Sequence, residues 1–253
     1  MQIELKPIAE YRKEYKVYAL FEGTDRRFAD IVRNEHAEAP IDAYIIMINP
    51  GSCHKKSDDN PLKDTTFYNG FDMVEAVSDP AQKCIMALMD ACNMNKIRIL
   101  NLFDYANGNL VEALKHKGVS IFDNSRAEDR KKYMPTDAVC IAAWGMDSSL
   151  MEYKKMAYEC IGGECIIGYP ENLDKYEYRY IKPRGQEAQK TVISRIADEY
   201  IAYKARCGCE FDALCNMFPK VSREDIVAIW NYIVDASRKM DDPDAGKISM
   251  NCS

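Results

Sequence analysis

The chain has 253 residues, of which 47% are hydrophobic and 29% are charged, and its formal net charge is −6. This length is enough to bury a sizeable core, and no apolar run reaches the roughly 18 residues that span a bilayer. The acidic balance argues against a protein that coats nucleic acid, although it leaves room for an enzyme with one local basic face. We therefore expect a globular protein that binds no membrane.

The first residues of the chain and its cysteines indicate the cellular compartment in which we expect it. Residues 1–6 lack a charged segment followed by an apolar one, so we expect no signal peptide. Ten cysteines without such a signal are expected to be reduced thiols of a cytoplasmic protein. Cys207, Cys209 and Cys215 follow no standard zinc spacing. They leave a metal site open as an alternative, but we expect neither a metal nor a cofactor.

The first three quarters of the chain alternate between strand and helix patterns. Residues 5–35 predict an N-terminal strand and helix, and the polar residues 52–72 predict a long loop. Four short apolar runs rich in Ile or Val predict buried strands at residues 44–48, 97–102, 138–143 and 165–168. Helical spacing is found at residues 79–93, 125–133 and 148–160. This alternation predicts an α/β fold with a mainly parallel sheet.

After Pro183 the sequence predicts helices only, at residues 191–203, at 211–218 and from Ser222 onward. We divide the chain into an α/β domain, residues 1–185, and a C-terminal helical extension, residues 186–253. The last two helices form either a helix-turn-helix or a helical cap packed on the sheet, and a loose tail is expected from Asp241.

Polar and aromatic residues follow each predicted strand, where ligands bind in open α/β sheets. The chain has no G-x-S-x-G elbow, no Walker loop and no G-x-G-x-x-G motif, and its three histidines make a triad improbable. These residues suit a reaction that needs positioning more than a strong base. Hydrolysis of an N-glycosidic bond, with its oxocarbenium-like transition state, is such a reaction.

A resemblance supports this hypothesis. The sequence M-I-N-P-G at residues 47–51 is similar to the G-I-N-P-G motif of the mismatch-specific uracil and thymine DNA glycosylases. Residues 18–183 also resemble a family of uncharacterised bacterial and phage proteins with four ordered motifs. Here these motifs are Asn49-Pro50, Asp79-Pro80, Asn101-Leu102-Phe103 and Ala143-Trp144-Gly145. After the last strand, Tyr169-Pro170-Glu171-Asn172 takes the place of the H-P-S loop that glycosylases usually carry.

The resemblance implies a three-layer sandwich of the uracil-DNA-glycosylase type and a monofunctional DNA glycosylase. Such an enzyme flips out a damaged, mismatched or modified base, cleaves its bond to deoxyribose and leaves an abasic site. The catalytic candidates are Asn49, which would hold the attacking water, and Asp104. The candidates for substrate binding are Pro50, Gly51, Ser52, Phe67, Tyr68, Asn101, Phe103, Tyr105, Trp144, Gly145 and Tyr169. The candidates for contacts with the DNA backbone are His54, Lys55, Lys56, Arg179, Lys182 and Arg184.

Two alternatives stay open at this point. The same residues suit a non-catalytic module that binds nucleic acid or a nucleotide. They also suit an N-glycosidase of free nucleosides or nucleotides, which the acidic net charge favours. The expected partner is DNA, and the chain is expected to be a monomer.

Overall fold

The computed structural model describes residues 1–23, 25–36, 38–55, 65–68, 70–116, 118–171 and 175–241, without the side chains of residues 65–68, 164 and 236–241. The helices of this part of the chain are α1 (Ile8–Glu14), α2 (Pro80–Ala91), α3 (Leu110–Lys115), α4 (Ala127–Tyr133), α5 (Met151–Ile161), α6 (Gln186–Arg206), α7 (Phe211–Met217) and α8 (Arg223–Asp241). Its strands are β1 (Tyr15–Glu22), β2 (Asp25–Arg33), β3 (Ala43–Met47), β4 (His54–Lys55), β5 (Thr65–Tyr68), β6 (Phe71–Val77), β7 (Lys96–Asn101), β8 (Val139–Ala142) and β9 (Ile166–Gly168).

The strands form one mixed sheet in the order β4-β6-β1-β2-β7-β3-β8-β9, and β5 pairs with β6. Strands β7, β3, β8 and β9 are parallel neighbours. The pairings made by β1, β2, β4, β5 and β6 are antiparallel. The α/β class and the four predicted strands are confirmed, but the expectation of a mainly parallel sheet is wrong for the half built from the N-terminal strands.

The N-terminal segment differs from its prediction of a strand followed by a helix. The short helix α1 comes first, and β1 and β2 then form an antiparallel hairpin around Gly23, whose φ is +63°. Five consecutive residues of β2, residues 28–32, are buried. A strand buried on both faces loses the alternation of apolar and polar residues that would identify it in the sequence.

The loop predicted over residues 52–72 is also partly wrong. The described residues of this range include β4, β5 and the start of β6, which pair at the edge of the sheet. Their polar composition suits an edge strand, which faces solvent and carries few apolar residues. Residues 56–64 lie outside the described part of the chain.

Two apolar clusters cover the two faces of the sheet. Ala43, Ile45 and Met47 of β3 point into a cluster with α1, α2, α6, α7 and α8, which we call the α2 face. Tyr44 and Ile46 point into the other cluster, with α3, α4 and α5, which we call the α4 face. All five side chains are buried, so β3 is a central strand whose carboxyl end lies between two layers of helices.

The C-terminal helices belong to the α2 face. The 21-residue helix α6 buries Val192, Ile193, Ile196 and Ile201 there, and Leu214 of α7 and Ile226 of α8 join the same cluster. The predicted helices after Pro183 are therefore confirmed, and residues 242–253 lie outside the described part. None of the helices in the described ranges combines the length and apolar character needed to cross a bilayer.

Candidate functional site

The direction of the chain crossings reverses at the carboxyl end of β3. Its neighbour β7 lies on one side and β8 on the other. The helix that leads into β7 packs on the α2 face, whereas the helices that lead into β8 pack on the α4 face. The loops after β3 and β7 therefore leave the sheet in different directions. A crevice for ligands forms at such points in open α/β sheets.

The Asn49-Pro50-Gly51 loop lies at this reversal. Asn49 Nδ2 donates to the carbonyl of Asn107 at 2.8 Å and to that of Tyr105 at 3.5 Å, so the Asn49 amide ties its loop to the loop after β7. None of the described groups donates to Asn49 Oδ1, and Asn49 is partly exposed. The orientation of the amide therefore leaves an acceptor oxygen for a water or a ligand.

Gly51 fixes the shape of the loop. Its φ is +64°, and a Cβ at this position would lie 3.0 Å from Asp79 Oδ2. Both the left-handed backbone and this close approach favour glycine. A groove of about 560 Å³ lies beside the loop, and Gly51, Ser52, His54, Lys55, Phe21, Ala106 and Asn107 are among the residues that line it. The structure thus brings four of the predicted residues to one groove. Lys56 lies outside the described residues, as do the side chains of Phe67 and Tyr68.

Asp104 and Tyr105 line a different cleft, of about 360 Å³, together with Arg27, His116 and Arg126. Asp104 Oδ2 accepts hydrogen bonds from Arg27 at 2.6 Å and from Arg126 at 2.7 Å. Burial raises the pKa of Asp104, while the two guanidinium groups oppose that rise. The structure does not bring Asp104 to the groove beside the N-P-G loop. Its catalytic role therefore stays a prediction.

Phe103 and Trp144 are not available for stacking, because both side chains are fully buried. Phe103 packs edge-on against Tyr153, and Trp144 Nε1 donates to the carbonyl of Tyr176 at 2.8 Å. The prediction that Phe103 stacks on a base is therefore wrong, and Trp144 holds the segment after β9 in place. Gly145 lies near the N-P-G loop, since a Cβ added to it would lie 3.8 Å from Ile48 Cδ1.

The residues predicted to hold the DNA backbone are separated. Arg179 forms a salt bridge with Glu171, and its guanidinium lies 5.3 Å from the centre of the Tyr169 ring. Lys182 is half-buried, whereas Arg184 and His54 are exposed. The ammonium of Lys55 lies 5.7 Å from the centre of the Phe21 ring at the groove. Of these basic residues, Arg179 already has a carboxylate partner.

Sequence reasoning pointed to Asn101 but missed two other buried polar residues, Arg26 and Gln82. Asn101 is fully buried, and neither atom of its amide has a hydrogen-bond partner in the described part of the chain. The same is true of Arg26 Nε and Nη1 and of Gln82 Nε2, on residues that are 2% and 1% exposed. No sequence signal pointed to Arg26, because it stands beside Arg27 in the polar start of β2.

Two further findings complete the description of the site. Among the described residues, no three His, Cys, Asp or Glu side chains come together as metal ligands would. No family model, no curated protein and no solved structure matches the chain. A proposal of function therefore rests on the residues and their geometry.

Proposed function

We propose that the chain is a monofunctional DNA glycosylase, with a three-layer sandwich of the uracil-DNA-glycosylase type around its sheet. The observation that carries the proposal is the Asn49 amide at the crossover reversal. Its nitrogen is anchored to Asn107 at 2.8 Å, and its oxygen has no donor among the described groups. An amide held in this way presents a fixed acceptor to a water molecule, as a reaction that depends on positioning requires.

In the proposed reaction, the enzyme flips the target base out of the stack and Asn49 Oδ1 holds a water molecule near C1′ of the sugar. The bond between C1′ and the base breaks with its electron pair on the base, and the water oxygen bonds to C1′. The proton that the water releases finally neutralises the base. Pro50 and Gly51 support the reaction by keeping the loop backbone close to the sugar.

We propose that a few basic side chains contact the DNA backbone locally. The net charge of −6 opposes electrostatic binding over a broad surface. His54 and Lys55 lie on the groove beside the N-P-G loop, which Gly51 also lines. Lys182 and Arg184 follow the last strand, on the segment that leads into α6. Arg179 contributes less, because Glu171 already neutralises it.

The test is incubation of the chain with duplex and single-stranded DNA that carries uracil, mismatched thymine or modified bases, followed by alkali cleavage of abasic sites. We expect nicking at one class of base, and a loss of about 100-fold or more in the single-turnover rate of Asn49→Ala. Asn34→Ala is the matched control, since Asn34 donates to the carbonyl of Lys13 far from the site. Equal rates for Asn49→Ala and the unmodified chain would contradict the assigned mechanism.

A second candidate is hydrolysis of free nucleosides or nucleotides, which the Glu171–Arg179 pair favours by removing one cation from the DNA side. Release of free base from nucleosides, together with DNA binding that barely changes between low and moderate salt, would support this candidate. Binding of DNA without release of any base would instead indicate a non-catalytic module.

A further inference from the structure

The cleft that Asp104 lines, which we call the Asp104 cleft, is separate from the groove beside the N-P-G loop, because no described residue lines both. Its volume is about 360 Å³, and negative charge is in excess there. It is lined by the carboxylates of Glu22, Asp25, Asp104 and Asp129 and by the guanidinium groups of Arg27 and Arg126. Four carboxylates against two guanidinium groups favour a cation over an anion as the ligand of this cleft.

Hydrogen bonds join the charged residues around Asp104. Asp104 Oδ2 accepts from Arg27 Nη1 at 2.6 Å and from Arg126 Nη1 at 2.7 Å. Arg27 Nε also donates to Glu22 at 2.9 Å, and Arg126 Nε donates to Asp129 at 3.4 Å. Glu22 and Asp129 lie at the rim of the cleft, since their side chains are 54% and 46% exposed. Each guanidinium group therefore joins the buried carboxylate to a carboxylate at the rim, and the two together fix the position of Asp104.

The other oxygen of this carboxylate, Asp104 Oδ1, is unsatisfied. Asp104 is 4% exposed, and no group of the described residues donates a hydrogen bond to its Oδ1. A buried carboxylate oxygen without a donor is costly, because its hydration is lost without a replacement. Arg27 and Arg126 both bond to Oδ2, although an ionised carboxylate accepts at both oxygens. Asp104 Oδ1 is therefore the acceptor that the cleft offers to a ligand.

Aromatic rings form part of the wall of the Asp104 cleft. Tyr105 follows Asp104 directly in the chain, and the centre of its ring lies 5.1 Å from that of the His116 ring. Tyr133 also lines the cleft. Tyrosine rings bury hydrocarbon groups against their faces and attract cations there. This wall suits a ligand in which a short hydrocarbon chain carries the positive charge.

The single open oxygen distinguishes between the common kinds of cation. A guanidinium group pairs best with both oxygens of a carboxylate, but Oδ2 of Asp104 already accepts from two arginines. A primary ammonium group is a compact charge with three donors, and one oxygen is enough to bind it. A metal ion fits less well, because no three metal-ligating side chains come together in the described part of the chain.

We propose that the Asp104 cleft binds a small aliphatic diamine. One ammonium group of the diamine donates to Asp104 Oδ1, and the other lies near the rim carboxylates of Glu22 and Asp129. The methylene chain between them packs against the ring of Tyr105. This inference goes beyond the proposed function and does not depend on it, because the cleft and the groove share no described residue.

Isothermal titration calorimetry with putrescine, at low and constant ionic strength, tests the proposal. Three ligands are compared with it. Butylamine has one ammonium group, arcaine has guanidinium groups in place of both ammonium groups, and Mg²⁺ has the charge of putrescine without its chain. We expect putrescine to bind more tightly than all three. Absence of putrescine binding, or an affinity no higher than that of arcaine or Mg²⁺, would overturn the proposal.

Asp104→Asn tests the buried carboxylate. Asparagine keeps an oxygen for the two arginines but removes the charge, so we expect the affinity for putrescine to fall by about 10-fold or more. Glu128→Gln is the matched control, since Glu128 is a carboxylate of α4 outside the cleft and is 79% exposed. It should bind putrescine like the unmodified chain. An unchanged affinity in Asp104→Asn would show that the diamine binds elsewhere.

A second variant keeps the test valid if Asp104→Asn unfolds. The double variant Glu22→Gln with Asp129→Asn alters only rim carboxylates, so we expect its melting temperature to stay close to that of the unmodified chain. It should bind putrescine no more tightly than butylamine, because the second ammonium group has lost its partners. If it binds putrescine as tightly as the unmodified chain does, the rim does not hold a second ammonium group and the diamine proposal fails.

Discussion

At the scale of single residues, Gly51 has two separate reasons to be glycine. Its φ of +64° is unfavourable for other residues, and a Cβ would lie 3.0 Å from Asp79 Oδ2. We expect Gly51→Ala to lower the free energy of unfolding by about 1–2 kcal/mol for the backbone conformation alone, with a further cost for the contact. Urea unfolding measures the sum.

Gly23 provides the matched control for Gly51. Its φ is +63°, and a Cβ there would meet no atom of the described residues within 4 Å. Gly23→Ala therefore reports the conformational cost without a contact. The prediction is contradicted if the two substitutions destabilise the chain equally, since the Gly51 loop would then have room to move away from Asp79.

The buried pair of Arg98 and Asp30 contrasts with the unpaired Arg26. Arg98 Nε and Nη2 donate to the two oxygens of Asp30 at 2.7 and 2.8 Å, and both residues are at most 1% exposed. We expect Arg98→Met to destabilise the chain by about 3–5 kcal/mol, because it leaves the Asp30 carboxylate buried and unpaired. The double variant with Asp30→Leu should recover most of this loss in urea unfolding.

The exposed pair of Lys131 and Glu128 is the control for that experiment, since its side chains are 74% and 79% exposed. Lys131→Met should leave the unfolding midpoint unchanged because water screens such a pair. A double variant no more stable than Arg98→Met would show that the site needs the charges themselves.

The sequence predicted some residues of the site better than others. Asn49 and Gly51 were predicted because a short apolar strand followed by Asn-Pro-Gly is a local pattern. The salt bridges of Asp104 were not predicted, because its partners Arg27 and Arg126 come from other parts of the chain. Arg26 was missed because its significance lies in the contacts that it lacks, which only the packed structure reveals.

At the scale of elements, the start of α2 links the core to the site. Asp79 Oδ1 accepts from the backbone nitrogens of Ala81 and Gln82, both at 2.9 Å, and Gln82 reaches back to the Asp79 nitrogen. We expect Asp79→Ala to destabilise the chain by about 1 kcal/mol. Asp79→Asn should stay close to the unmodified chain, because asparagine caps helices as well as aspartate does. Equal losses for both variants would show that the carboxylate charge, and not the cap, is what matters.

Elements with a strong local period were predicted well. The helix α2 has its cap, its Pro at the first turn and apolar residues at helical spacing, and all of these are local signals. The hairpin of β1 and β2 was not predicted, because β2 lies inside the sheet between β1 and β7, which is more than 60 residues away, and the two apolar clusters bury both of its faces. Burial that depends on such distant partners leaves no period in the sequence.

At the scale of the whole molecule, the packing of α6 is relevant to the domain boundary that the sequence predicts at residue 185. Its side chains fill the α2 face together with α2 and β9. We therefore expect a fragment of residues 1–185 to lack cooperative thermal unfolding by circular dichroism, because the α2 face would be exposed to water. A fragment of residues 1–241 should unfold like the full chain. Cooperative unfolding of the shorter fragment would instead support an independent α/β domain.

The carboxylate of Asp90 joins three distant parts of the molecule. It contacts Lys6 before α1 at 3.3 Å, Arg33 at the end of β2 at 3.9 Å, and Lys220 between α7 and α8. Burial alone would raise the pKa of Asp90, but the Lys220 and Lys6 ammonium groups outweigh burial, so the pKa is lowered. A lowered pKa means that folding favours the ionised carboxylate, and the stability it adds is lost as the pH falls through that pKa.

We therefore expect Asp90→Asn to be less stable than the unmodified chain above about pH 4, the ordinary pKa of an aspartate. Because these groups are partly exposed, the difference should stay below about 1 kcal/mol. It should shrink as the pH falls below 4, since protonation then removes the same charge from the unmodified chain. Urea unfolding at neutral pH and near pH 3 measures both values. A difference that is equal at the two pH values would contradict an ionic role, and would leave packing of the Asp90 side chain as the link between the termini and the sheet.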